Sequence, residues 1–188
     1  MRKAEATQAR IERAAVGLFA AHGVDQTTTR ELAEAAGIAE GTIYRHYDSK
    51  DELIGRIFMR HYRALAEDLE ALRRADPEPR RALSAMIARF CALYESEPDL
   101  FRFLFFVQHG QLEKVSPEAP SPVRVIRATL AEAMAEGAIP ARDPELSTAL
   151  VLGAVTQPAV FRIYGRLGRP LTALAGDIAD ACWRLLAT

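Results

Sequence analysis

The run Thr28-Thr29-Arg30-Glu31-Leu32-Ala33-Glu34-Ala35-Ala36-Gly37-Ile38-Ala39-Glu40-Gly41-Thr42-Ile43-Tyr44-Arg45-His46-Tyr47-Asp48-Ser49-Lys50-Asp51-Glu52-Leu53 reads as two short helices joined by a glycine turn, with a long helix opening at its end. Thr28 and Glu31 stand at capping-box spacing, so the hydroxyl can accept from the Glu31 amide while the carboxylate reaches back. The helix that follows turns Leu32, Ala33 and Ala36 inward, and Gly37 supplies the left-handed residue that ends it. A second short helix over residues 40–47 buries Ile43 and Tyr47 at i,i+4. Ser49-Lys50-Asp51-Glu52 repeats the capping pattern and opens a helix reaching about residue 74, with Leu53, Ile57, His61, Leu65 and Leu72 inward.

Upstream, Ile11, Ala14, Ala15, Leu18, Phe19 and His22 form one helical stripe, stopped by Gly23. Three helices in this order, the last two joined through a glycine turn, are the layout of a helix-turn-helix unit. At 100° per residue, with Ile43 and Tyr47 inward, Arg45 points away from the core. Thr42 and His46 flank it on one side, Gly41 and Tyr44 on the other. An arginine can donate twice to guanine O6 and N7, whereas Thr42, Tyr44 and His46 can reach phosphate oxygens or base edges. Gly41 has no side chain to hold a nucleic-acid backbone away, and Lys50 adds a cation at the next helix start.

Composition sets the bounds. The chain has 188 residues, 49% hydrophobic and 26% charged, which excludes disordered, collagenous and disulfide-scaffold classes. Its two cysteines, Cys91 and Cys182, sit in apolar helical patterns and read as buried, reduced thiols. Residues 1–12 are polar and lack the apolar run of a signal peptide, and the longest uncharged stretch, 146–161, is short for a membrane span. A cytoplasmic protein without a membrane partner is expected. Net charge is −1, and residues 1–50 hold seven basic side chains (Arg2, Lys3, Arg10, Arg13, Arg30, Arg45, Lys50) against seven acidic. DNA binding therefore depends on where charges lie, and Arg2 with Lys3 form a candidate arm to phosphate or the minor groove. His22, His46, His61 and His109 show no metal spacing, and no phosphate loop or nucleophile elbow occurs, so neither an enzyme, a metal nor a cofactor is expected.

Beyond the long helix, Asp76-Pro77-Glu78-Pro79 breaks the chain and restarts it to about residue 95. Pro98 opens an apolar helix over residues 100–107 that should be buried on most sides, and residues 109–121 read as a mobile loop. Val123, Ile126, Leu130 and Met134 recur at helical spacing until Gly137. Asp143-Pro144 caps a helix to about residue 165, with Pro158 inside it as an expected kink, and a last helix covers residues 171–187. The expected fold is all-α with about nine helices, divided into residues 1–54, a helix-turn-helix DNA-binding domain, and residues 55–188.

The string Thr28–Leu53, above all Thr42-Ile43-Tyr44-Arg45-His46-Tyr47 followed by Ser49-Lys50-Asp51-Glu52-Leu53, resembles the tetracycline-repressor (TetR) family of bacterial transcriptional regulators. The likeness runs without gaps from about Ile11 to Ile54. It implies a homodimer that places each third helix in a major groove of a palindromic double-stranded operator, commonly as a repressor released by a small molecule. On matching positions, Thr42, Tyr44, His46 and Lys50 would touch phosphate or sugar and Arg45 would read a base. Thr29 and Arg30 match positions used for phosphate and base contact. Two residues depart from the pattern: Ala39 stands where serine commonly caps, and Glu40 where a basic or polar residue is usual. Glu40 would repel a nearby phosphate. A helical ligand-binding or adaptor protein with a degenerate DNA-binding motif is the alternative that these two raise.

By the same resemblance, residues 55–188 would dimerise and bind an effector. Ala149, Leu150, Gly153, Ala154 and Gln157 on one helix, with Leu174, Ile178, Ala181, Cys182 and Leu185 on the last, are candidates for a two-fold four-helix interface; Leu171, Ala175 and the sole tryptophan, Trp183, lie nearby. Met86, Phe90, Leu93, Tyr94, Phe101, Phe105, Ile126, Leu130 and Met134 are candidate pocket lining, with Gln108 and His109 as polar anchors. That lining suits a hydrophobic or aromatic effector.

Overall fold

The computed structural model describes residues 2–113, 116 and 119–187, with only the backbone described at Arg2, Lys3 and His109. Among these residues every regular element is helical: α1 (Arg2–His22), α2 (Thr29–Ala36), α3 (Glu40–Ile43), α4 (Lys50–Ala75), α5 (Pro79–Ser96), α6 (Pro98–Leu112), α7 (Pro122–Ala135), α8 (Pro144–Ile163), a 3₁₀ turn (Thr172–Leu174) and α9 (Ala175–Ala187). The all-α expectation holds. The proposed Arg2–Lys3 arm and part of the 109–121 loop lie outside the described side chains and residues.

The chain packs as two compact units. The first comprises Met1–Tyr62 and Glu97–Ala119, so α6 joins α1–α3 and the start of α4. A functional division at residue 54 and this packing division differ chiefly through α6. Ile11, Ala15, Phe19, Leu32, Ile43, Leu53, Ile57, Phe58 and Phe103 are buried here. Each large apolar side chain so removed from water contributes ~1.5–3 kcal/mol. The Phe19 ring of α1 stacks on Phe103 of α6 at 5.8 Å. Leu100, Phe101 and Phe103 are buried, as expected of this apolar helix, while Phe106 faces outward, 55% exposed. α6 also continues through Gly110 to Leu112, so less of the stretch read as a loop is loop.

The second unit, Arg63–Ser96 and Pro120–Thr188, holds the rest of α4 with α5 and α7–α9. Leu69, Ala82, Met86 and Val125 form a buried cluster against which Leu65, Leu72 and Ile126 pack. Cys91 and Cys182 are free and buried, as expected, and burial pushes both thiols up to about 11. α8 runs on through Pro158. It is 20 residues long with a mean hydropathy of 1.4, long and apolar enough by those two measures to cross a membrane, contrary to the sequence reading. Its Ser147 and Thr148 hydroxyls nevertheless donate to carbonyls one turn back, and Val151, Val155 and Ala159 are buried within the unit.

Candidate nucleic-acid interface

The turn between α2 and α3 is built from local chemistry. The Glu31 amide donates to the Thr28 hydroxyl at 3.2 Å, and the Thr28 amide to the Glu31 carboxylate at 2.7 Å, completing the capping box. Those bonds hold the Glu31 carboxyl below its ordinary pKa. Gly37 ends α2 at φ 63°, a conformation that glycine takes without a Cβ penalty. From α1, Arg10 Nη2 donates to the Ala36 and Gly37 carbonyls at 2.5 and 2.9 Å, satisfying groups left open at the helix end. The sequence reading missed Arg10; a long cation half a domain from an uncapped helix end carries no local signal.

α3 is one α-helical turn, shorter than the expected 40–47. Ala39 makes no side-chain cap, Gly41 is a poor helix former, and Thr42 and Ile43 are β-branched. The chain then tightens: the Arg45 and His46 amides donate to carbonyls three residues back, Thr42 at 3.2 Å and Ile43 at 2.9 Å. Ile43 and Tyr47 are buried as the spacing requires. Arg45, Tyr44 and Gly41 are exposed, as is Arg30, while Thr42, His46 and Thr29 are half-buried. The expected outward face therefore forms. Arg45 Nη2 donates to the Thr42 hydroxyl at 3.1 Å. A Cβ built on Gly41 meets nothing within 4 Å, so nothing in the chain itself needs glycine there.

Beneath this face lies a buried carboxylate. Glu12 of α1, 3% exposed, accepts from the Tyr47 hydroxyl at 2.8 Å and from Gln8 Nε2 at 2.9 Å, and its second oxygen pairs with Arg60 of α4. Burial first, then the Glu12 carboxylate, pushes the Tyr47 phenol far above its ordinary range. Next to Arg60, His61 is half-buried, and burial and the guanidinium lower its pKa. Arg56 donates to the His46 carbonyl at 3.2 Å, pairs with Glu52 at 3.3 Å and lies over the Tyr47 ring at 5.6 Å. Glu12, Arg56 and Arg60 were absent from the sequence reading. Glu12 had a signal, a charge at helical spacing with Ala15 and Phe19.

Two expected contacts sit in other surroundings. Lys50 Nζ donates to the Val24 and Thr27 carbonyls at 2.9 and 3.0 Å, and is half-buried, so its ammonium already ties the α1–α2 loop to the start of α4. The second capping box forms on one side only: the Glu52 amide donates to Ser49 at 3.1 Å, but the Glu52 carboxylate accepts from Asp48 instead. Glu40 carries a hydrogen bond from the Thr29 hydroxyl at 2.6 Å, and Thr29 accepts from the Tyr44 hydroxyl at 3.2 Å.

The candidate effector residues divide between the units. Phe101, Phe105, Gln108 and His109 belong to the first, whereas Met86, Phe90, Tyr94, Ile126, Leu130 and Met134 belong to the second. Met86, Tyr94, Phe101 and Leu130 are core, the first of them in the Leu69 cluster. The His109 side chain lies outside the described residues. Among candidate dimer residues, Ala149, Leu150, Gly153, Gln157, Ala181 and Leu185 are exposed and Ala154 and Leu174 half-buried. Ile178 and Cys182, 9% and 0% exposed, face the interior of the second unit. α9 approaches α5 and α8 with that side, and Trp183 lies under Arg80 at 5.9 Å.

Residues 11–57 match the sequence profile of the family described as bacterial regulatory proteins, tetR family. Over 43 residues, 23% of this chain and 21% of the relative, the sequence is 46% identical to the HTH-type transcriptional repressor KstR2 of Rhodococcus jostii. A longer match, 31% identical over 114 residues, covers 60% of this chain and 56% of the transcriptional repressor SCO4008 of Streptomyces coelicolor. The chain thus spans about a fifth to about half of the length of these curated relatives. The fold is similar to that of the transcriptional regulator FadR of Bacillus subtilis, solved in complex with stearoyl-CoA, at a TM-score of 0.76 and 18% identity over 92% of this chain and 96% of that one. The helix-turn-helix geometry, the outward Thr42–His46 face and the matched profile fall on the same residues, so residues 11–57 carry the segment that characterises the tetR family of bacterial regulatory proteins.

Proposed function

We propose that the protein is a cytoplasmic transcriptional regulator, a repressor, that binds a palindromic double-stranded operator as a homodimer and is modulated by a small hydrophobic or aromatic ligand. The observation that carries DNA binding is the face formed by α3 and the turn that follows it: Arg45 outward between Thr42 and Tyr44, over a buried Ile43–Tyr47 edge. Open space around Gly41 supports it, because the lack of a side chain there serves an approach from outside the chain. Arg45 is the base reader, and Thr42, His46 and Arg30 hold the backbone.

An exposed stripe on α8 supports dimerisation. Leu146, Ala149, Leu150, Gly153, Gln157, Phe161 and Tyr164 recur at three- and four-residue spacing, and all face outward in the protomer. Small residues among large apolar ones let a two-fold-related α8 approach closely. The acyl ligand of the Bacillus subtilis FadR and the apolar second unit of this chain support a hydrophobic effector.

The test is selection of bound fragments from the source genome at ~150 mM salt, where non-specific phosphate binding is weak. A recurring palindrome, lost on Arg45→Ala, is the expected result. A folded protein that enriches no sequence, with or without cell extract, would instead favour a helical adaptor with a degenerate DNA-binding motif, the reading that Ala39 and Glu40 raise.

A further inference from the structure

The departure at position 40 is tied to two hydroxyls expected to touch DNA. Thr29 Oγ1 donates to Glu40 Oε1 at 2.6 Å, and Tyr44 Oη donates to Thr29 Oγ1 at 3.2 Å. Glu40 has no ion pair among the described residues. All of this lies on the exposed side of α2 and α3, with Tyr44 53% exposed.

The direction of these bonds follows from donor and acceptor counting. A carboxylate only accepts, so the single Thr29 proton points to Glu40. The Thr29 oxygen then accepts, and the single Tyr44 proton points to Thr29. The Tyr44 oxygen is left with lone pairs and no proton to offer. Phosphate oxygens are acceptors, and they have nothing to give this oxygen. In the major groove the groups that can donate to it are the exocyclic amines, adenine N6 and cytosine N4.

We propose that Glu40 is a specificity-determining residue, which fixes the polarity of the Thr29–Tyr44 pair so that Tyr44 accepts from an amino-bearing base edge instead of donating to phosphate. This rests on the DNA-binding reading above. Glu40 acts through its neighbours and is a positioning residue; Tyr44 makes the contact. The carboxylate therefore gives selectivity at a position where a basic side chain would give only attraction.

The experiment uses the full-length protein and a randomised duplex library, with five proteins compared: wild type, Glu40→Ala, Thr29→Val, Tyr44→Phe and the double variant Glu40→Ala/Tyr44→Phe. Wild type should select adenine or cytosine at one symmetry-related position in each half-site, by about 5- to 150-fold over guanine or thymine. The selected base tells the two amines apart. Each variant should lose that preference while keeping the base set by Arg45, and Glu40→Ala combined with Tyr44→Phe should lose no more there than either alone. Thr29→Val leaves both end groups in place and breaks only the relay, so it carries the test even if another variant folds poorly. The proposal is overturned if Glu40→Ala or Thr29→Val keeps the wild-type sequence and shifts affinity by one factor for all duplexes, the signature of a phosphate contact. Wild type selecting no sequence would remove the DNA-binding reading as well, and is distinguishable because the Arg45 position would then be blank too.

Discussion

Replacing Tyr47 by phenylalanine removes one hydroxyl from the buried Glu12 carboxylate and leaves the ring, its burial and the Arg56 contact in place. Glu12 Oε1 would keep only Gln8, and Arg60 would still pair with Oε2. A hydrogen bond to a charged group contributes about 1.5–3 kcal/mol, so about 2 kcal/mol of local stability should go. That corresponds to roughly 30-fold faster hydrogen exchange at neutral pH in peptides from α1 and the start of α4. The pH dependence has a definite sign. The folded phenol titrates above its ordinary value, so its contribution is complete below about pH 10 and is lost as pH rises through the folded value. The wild-type advantage over Tyr47→Phe should therefore be full at pH 7 and shrink above pH 10. Exchange accelerated less than about threefold at pH 7 would refute the reasoning, because Gln8 and Arg60 alone would then satisfy the carboxylate.

Lys50→Met should lower stability by about 2 kcal/mol, because two loop carbonyls lose an ammonium, and should leave the salt dependence of DNA binding unchanged. A salt slope reduced by about one unit would place Lys50 on phosphate instead. Leu150→Glu puts two carboxylates near the proposed two-fold and should yield monomers in analytical ultracentrifugation with the helical content of the wild type; an unchanged dimer would move the interface off α8. Arg73 and Arg74 hold the Glu70 carboxyl down at about 2 from 4.5. Because the folded value is depressed, wild type should be more stable than Glu70→Gln above pH 4.5 and lose that margin as pH falls toward 2, read by thermal melts across that range.

What the sequence disclosed was local. The Thr28–Glu31 box, the Gly37 stop and the inward Ile43–Tyr47 pair lie within one or two turns of each other, where spacing determines geometry. Arg45 faced outward for the same reason. What it withheld was long-range. Arg10 and the α2 end are 26 residues apart, Tyr47 and Glu12 35 apart, and nothing in local periodicity links them. Lys50 misled because a cation at a helix start looks the same whether it meets phosphate or two carbonyls of its own chain. In the second half, apolar stripes offered Ile178 and Cys182 for a helix–helix interface, yet a stripe does not say which neighbour it meets. α9 turns those residues toward its own protomer and leaves Ala181 and Leu185 outside.

The stacking of Phe103 on Phe19 bears on how the chain is made. α1–α3 leave the ribosome early, but the side chain that covers Phe19 belongs to α6 and emerges only after α4 and α5. Until then a large aromatic surface of α1 stays open to water and to chaperones. A nascent or prematurely terminated chain that already displays Arg45 thus lacks the contact that completes the first unit. Completion of this unit is deferred until the polypeptide has passed its midpoint.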